Sequence, residues 1–167
     1  MQNAANNPLP PKLAALLRES WWLAFVALAF YLVLILVTYT PADPGWSHSV
    51  ESDQVRNAGG RAGAWMADVL LYVFGLSAYW WVVFCLFLVF WGYRQIERFE
   101  PADRRALAIS GTGFVVLLAA SCGLEALRLY KLKAALPLAP GGVLGALVGE
   151  GLHAGVGFSG LALAALV

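Results

Sequence analysis

Charge is scarce in this sequence, and cysteine and histidine are scarcer still. Asp, Glu, Lys and Arg together make up only 13% of the 167 residues, against about 25% in an ordinary soluble domain. With 60% apolar residues, the chain has too little polar surface to cover a water-soluble fold. The formal net charge of +1 supplies no basic surface, so direct DNA binding by this segment is not expected. The two cysteines, Cys85 and Cys122, lie inside apolar runs and read as small buried hydrophobes rather than a disulfide or metal pair. His48 and His153 are far apart and have no ligand-spaced partner, which argues against a metal site. No G-x-x-x-x-G-K-[ST] loop is present to cradle a phosphate. The SGTGF string at 110–114 lacks the third glycine of a dinucleotide fingerprint. No Ser-His-Asp set, Cys-His pair or paired carboxylates stand out. The chain therefore reads as non-enzymatic, without cofactor.

What is present is a series of uncharged runs separated by four short clusters of charge, the composition of an all-α polytopic membrane protein. After a cytoplasmic segment, 1–20, the transmembrane domain is expected to occupy 21–167. Residues 21–40 contain no charge and match one bilayer crossing. Trp21, Trp22 and Tyr39 mark its ends, as interfacial aromatics do. This run is too long for a signal-peptide core, and TYTPADPGW after it offers no cleavage site. Further crossings are expected at 77–93 and 106–124. The small residues Gly111, Gly113, Ala119 and Gly123 of the latter permit close helix approach. With the N-terminus inside, inner segments carry six Lys and Arg and outer loops five. The charge rule thus favours a cytoplasmic N-terminus by a single residue.

The stretch NAGGRAGAWMADVLLYVFG, 57–75, poses a length problem. Between Arg61 and Arg94 lie 32 residues whose one charge is Asp68, about 48 Å as a single helix against a hydrocarbon core of about 30 Å. A shift of 82 residues aligns 59–77 with 141–159. It matches Gly59, Gly60, Gly63, Ala64, Leu70, Gly75 and Ser77 with Gly141, Gly142, Gly145, Ala146, Leu152, Gly157 and Ser159, and places Asp68 over Glu150. The chain thus reads as two repeated hairpins: span, outer loop, short re-entrant or interfacial helix, returning span. The double glycine supplies a turn, a short outer-face helix follows at about 61–74, and Gly75 breaks it. The second short helix is expected at about 142–156. The fourth crossing would begin near 158 and is incomplete at 167, making four transmembrane helices with the fourth truncated. Asp68 and Glu150 have two readings, an intramembrane ion or proton site or hydrogen-bonding groups that fix helix orientation.

The loop 41–61 is rich in turn signals, with Asp43, Pro44 and Gly45 in succession. Trp46 stands out as a large aromatic in a polar loop. It is expected either to pack on the neighbouring short helix or at the interface, or to contact a partner. Asp43, Trp46, Asn57, Gly59 and Gly60 are expected to form one folded cap.

The run from Thr38 through Tyr39, Pro41, Asp43, Pro44, Gly45 and Trp46 to Ser47 carries a family resemblance, together with Asn57, Gly59, Gly60, Gly63, Ala64, Trp65, Asp68, Phe74 and Gly75. These residues resemble the N-terminal four-helix membrane domain of the FtsK family of bacterial DNA translocases, over about residues 15–167. The resemblance implies a multi-pass inner-membrane anchor at the division septum. It further implies contacts with the lipid bilayer and with other division-machinery membrane proteins, and a homo-oligomer, a hexamer through a cytoplasmic motor. ATP and Mg belong to that motor, which is absent from this chain. Rival readings are a channel or transporter fragment using Asp68 and Glu150, and a small multi-pass scaffold protein.

Overall fold

The computed structural model describes residues 11–49, 54–98, 104–129 and 136–151. All regular elements among them are helical: α1 (Pro11–Val37), α2 (Gly60–Phe74), a 3-10 segment (Gly75–Tyr79), α3 (Trp80–Arg98) and α4 (Arg104–Arg128). A fifth helix, α5, is described over Gly142–Gly151. Residues 1–10, Gly157 and the expected fourth crossing at 158–167 lie outside the described residues.

Helix α1 begins ten residues before the expected crossing. Pro11 occupies its first position, where the missing N–H costs nothing, and the following LAALLRES run consists largely of strong helix formers. At 27 residues it is about 40 Å long. It also stops short of Thr40, and its last carbonyls are satisfied by groups that follow the helix. The Thr38 main-chain N–H and hydroxyl both donate to Leu34 O (3.1 and 2.6 Å), and the Asn57 amide donates to Ile35 O at 2.8 Å.

Among the described residues, two stretches are by length and composition apolar enough to cross a membrane, Gly60–Trp91 and Arg105–Arg128, while Trp22–Val37 and Gly142–Gly151 are shorter apolar helices. The first stretch is nevertheless two helices. Gly75 has φ 60° and ψ −141°, outside the helical region and open to glycine at little steric cost. A Cβ there would also collide with the Gly141 backbone. The 3-10 segment then redirects the chain into α3.

The core is built where small residues let helices approach. Ala29, Leu32, Ile35 and Leu36 of α1 pack with Ala67 and Leu71 of α2, Ala78 of the 3-10 segment, and Val82 and Cys85 of α3. Gly63 lies so close to α1 that a Cβ would sit 2.8 Å from Ile35 Cγ2. Between apolar helices in lipid, such close packing and hydrogen bonds replace the hydrophobic effect as the source of association. Helix α4 joins this core chiefly through the 3-10 segment. Its Phe114 ring stacks on Phe84 at 4.1 Å between centroids and meets Trp81 edge-on at 5.1 Å. Ile109, Val115 and Val116 on α4 remain largely exposed. Cys85 and Cys122 are buried free thiols.

Candidate functional site

Two buried acidic clusters organise the turns between helices. The first is a cap made by the loop between α1 and α2. Asp43, turned inward by a bend in which its N–H donates to Thr40 O, accepts from the N–H groups of Arg56 and Asn57 at 2.8 and 2.7 Å. Asn57 closes the cap from both sides. Its amide nitrogen holds the end of α1, and its amide oxygen accepts from Gly59 N–H at 2.9 Å, just before α2. Asp68, in the third turn of α2, is fully buried directly beneath Gly45, where a Cβ would lie 2.7 Å from Asp68 Cγ. Its carboxylate accepts from Ser47 N–H (2.6 Å), the Ser47 hydroxyl (3.0 Å) and the Tyr39 hydroxyl (3.1 Å). Trp46 lies across the same surface, its ring edge-on to Tyr72 at 5.2 Å, with 55% of its area still exposed.

The second cluster joins the two halves of the chain. Glu125, near the end of α4, is 7% exposed. One of its oxygens accepts from both Leu76 N–H and Gly141 N–H at 2.9 Å, and the other from the Ser77 hydroxyl. Ser121, one turn earlier, links Ser77 (2.7 Å) and the Trp80 indole N–H (3.0 Å), while the Cys122 thiol donates to Phe74 O at 3.4 Å. The helix break at Gly75 and the turn that starts α5 therefore meet on one carboxylate. Gly141 and Gly142 have φ of 83° and 60°. A Cβ on Gly142 would lie 2.6 Å from Val73 O, and one on Gly145 2.6 Å from Cys122 O.

Chemically, these carboxylates serve as acceptors for N–H and O–H groups of their own chain, which offsets the cost of burying them. Among the described residues no group of three His, Cys, Asp or Glu side chains is placed to hold a metal ion.

The structure brings together Asp43, Gly45, Trp46, Asn57, Gly59, Gly63 and Asp68 in or beneath the cap, with Pro44 in its turn. Gly60, with φ 66°, opens α2. Trp65 lies apart, half-exposed on the rim of an apolar groove of about 440 Å³ shared with Phe25, Met66 and Trp81. Glu150 is exposed on α5, so it does not reproduce the environment of Asp68. Near Asp68 the loop supplies Tyr39, Ser47 and His48, polar neighbours that sequence spacing did not reveal. Reading the sequence also missed Glu125, Ser77 and Ser121 as a cluster. The available signal was the repeat itself, since the shift that puts Gly59 on Gly141 also puts Asp43 on Glu125.

The family model described as the 4TM region of DNA translocase FtsK/SpoIIIE matches residues 14–167. DNA translocase FtsK 2 of Ralstonia nicotianae is 46% identical over 157 residues, covering 91% of this chain and 20% of the relative. DNA translocase FtsK of Pseudomonas syringae pv. syringae is 38% identical over 138 residues, 80% of this chain and 17% of the relative. DNA translocase FtsK 1 of Neisseria meningitidis serogroup A is 32% identical over 160 residues, 95% of this chain and 20% of the relative. The chain thus spans about a fifth of the length of these curated relatives. No solved structure gives a significant match. With its described elements all helical and largely apolar and its residues 14–167 matched, the chain belongs to the FtsK/SpoIIIE DNA translocase family as its 4TM membrane region, which is not the motor.

Proposed function

We propose that this domain anchors a DNA-translocating motor in the bacterial inner membrane at the division septum. In this reading the N-terminus is cytoplasmic, the cap lies outside, and the helices form two hairpins, each with a re-entrant or interfacial short helix. The observation that carries it is the family match over residues 14–167 to a membrane region whose relatives are named DNA translocases. ATP and Mg²⁺ would act in the motor, oligomerisation to a hexamer would run through it, and DNA would not touch this domain. The cap is the surface for other division membrane proteins: Trp46 is exposed yet held on a folded base, the kind of rigid aromatic that dominates binding energy at interfaces. The channel reading has no observation in its favour, since Asp68 is enclosed by donors of the cap and Glu150 is exposed on α5.

The test is imaging of a fluorescent fusion of the full-length protein in dividing cells. The wild type should form a septal band. Trp46→Ala should insert normally and keep its melting temperature while the band weakens. A uniform membrane signal from the wild type would overturn septal targeting, and an unchanged band in Trp46→Ala would remove the cap as partner surface.

A further inference from the structure

The apolar groove of about 440 Å³ lies where α1, α2 and α3 meet, and no charged, amide or hydroxyl side chain lines it. Phe25 and Leu32 of α1, Trp65 and Val69 of α2, and Trp81 and Leu88 of α3 mark its walls. Water has no polar group to bond there. Along α1 and α3 the lining covers two turns, about 10 Å, against a hydrocarbon core of about 30 Å. A partner helix crossing the whole membrane would be received over only a third of its length. A flexible hydrocarbon tail needs no longer seat, and filling the groove restores dispersion contacts that bare walls forfeit.

Charge beside the groove narrows the occupant further. Helix α2 carries one basic residue, Arg61, and one acid, Asp68. Asp68 is turned to the cap, where Ser47 and Tyr39 donate to it. Arg61 is exposed and lies one turn before Trp65 on the same helix face, which places it beside the groove rim. Among the described residues it forms no salt bridge. A guanidinium next to an apolar groove matches the two ends of a phospholipid. Its planar N–H pairs suit a phosphate, and the groove suits an acyl tail. We propose that this groove is a lipid site: one phospholipid of the leaflet on the cap side lays a tail between α1, α2 and α3 and its phosphate on Arg61. The inference requires that the domain lie in a bilayer, as the family match shows. It requires neither septal targeting nor a particular orientation, so its failure would leave both standing.

Photolabelling of the full-length protein tests it, in phosphatidylcholine vesicles containing a small fraction of phosphatidylglycerol with a diazirine in one tail. Mass spectrometry then locates the labelled residues. Val115 and Val116, exposed on α4 and outside the groove lining, report ordinary contact with the bilayer. Val69 and Leu88 should label more heavily than these two. Arg61→Gln should lower labelling of Val69 and Leu88 by about threefold or more and leave α4 unchanged, with Arg61→Lys between it and the wild type. An unaltered melting temperature in Arg61→Gln keeps the comparison free of folding defects, as the exposure of Arg61 leads one to expect. Equal labelling of groove and α4 means passing bilayer lipid and overturns the proposal. A groove labelled less than α4 is covered by protein, which also overturns it. Groove labelling unmoved by Arg61→Gln removes the phosphate contact and overturns it as well.

Discussion

Three acids show what a carboxylate can do when it is buried beside apolar helices. Asp43, Asp68 and Glu125 each accept more than one hydrogen bond from loop or turn groups. Removing one leaves buried N–H groups without partners, at about 1–3 kcal/mol each. Glu125→Ala is expected to destabilise the domain by about 3 kcal/mol, read as a fall in the denaturation midpoint in detergent. Glu125→Gln should cost less, because the amide oxygen still accepts, but its NH2 faces donors. Asp43→Ala is expected to cost a similar amount, about 2–4 kcal/mol, and to expose the 41–61 loop to protease while the helices remain protected. Equal protease sensitivity in wild type and Asp43→Ala would contradict a cap held by that carboxylate.

At the scale of the element, the decisive feature is the interruption at Gly75. Gly60 and Gly75 have nearly the same positive φ, 66° and 60°, yet their surroundings differ. Gly60 has open space where a Cβ would go, whereas Gly75 faces the Gly141 backbone. Gly60→Ala is therefore expected to cost about 1 kcal/mol from backbone strain alone. Gly75→Ala should cost more, because the turns of α2 and α5 must also separate. Thermal melts of the two variants give the comparison, and equal losses would mean that the close approach at Gly75 carries no stability. Glycine at these positions was visible in the sequence, as was a break in a run too long for one crossing. What Gly75 touches was not visible. Gly141 is 66 positions away, and nothing in periodicity or composition reports a contact at that separation.

For the whole molecule, the helices hold together at the end where the turns lie. The cap ties α1 to α2, Glu125 ties α4 to the Gly75 break and the start of α5, and the middle of α4 leaves apolar side chains uncovered. If the cap faces outward, Ala42→Cys in a background with Cys85 and Cys122 replaced should react with a membrane-impermeant maleimide added to spheroplasts. A tag at the N-terminus should stay protected until the membrane is opened. The reverse pattern would invert the proposed orientation, which Lys and Arg counts favour by one residue.

The sequence by itself determined the all-helical membrane class and the family. Both depend on quantities that add along the chain, namely the shortage of charge, the lengths of apolar runs, and the order of residues from Thr38 to Gly75. It also marked Asp43, Trp46, Asn57, Gly59 and Gly60 as a group, because turn signals flank a lone large aromatic in one polar loop. Only the tertiary structure decided what each acid does. The 82-residue shift suggested that Asp68 and Glu150 correspond, but in the fold Asp68 is enclosed by Tyr39 and Ser47 while Glu150 is exposed. The group joining the two halves is Glu125 instead. A carboxylate's role depends on which donors come within about 3 Å of it, and those donors come from turns distant in sequence that meet only once the helices have packed.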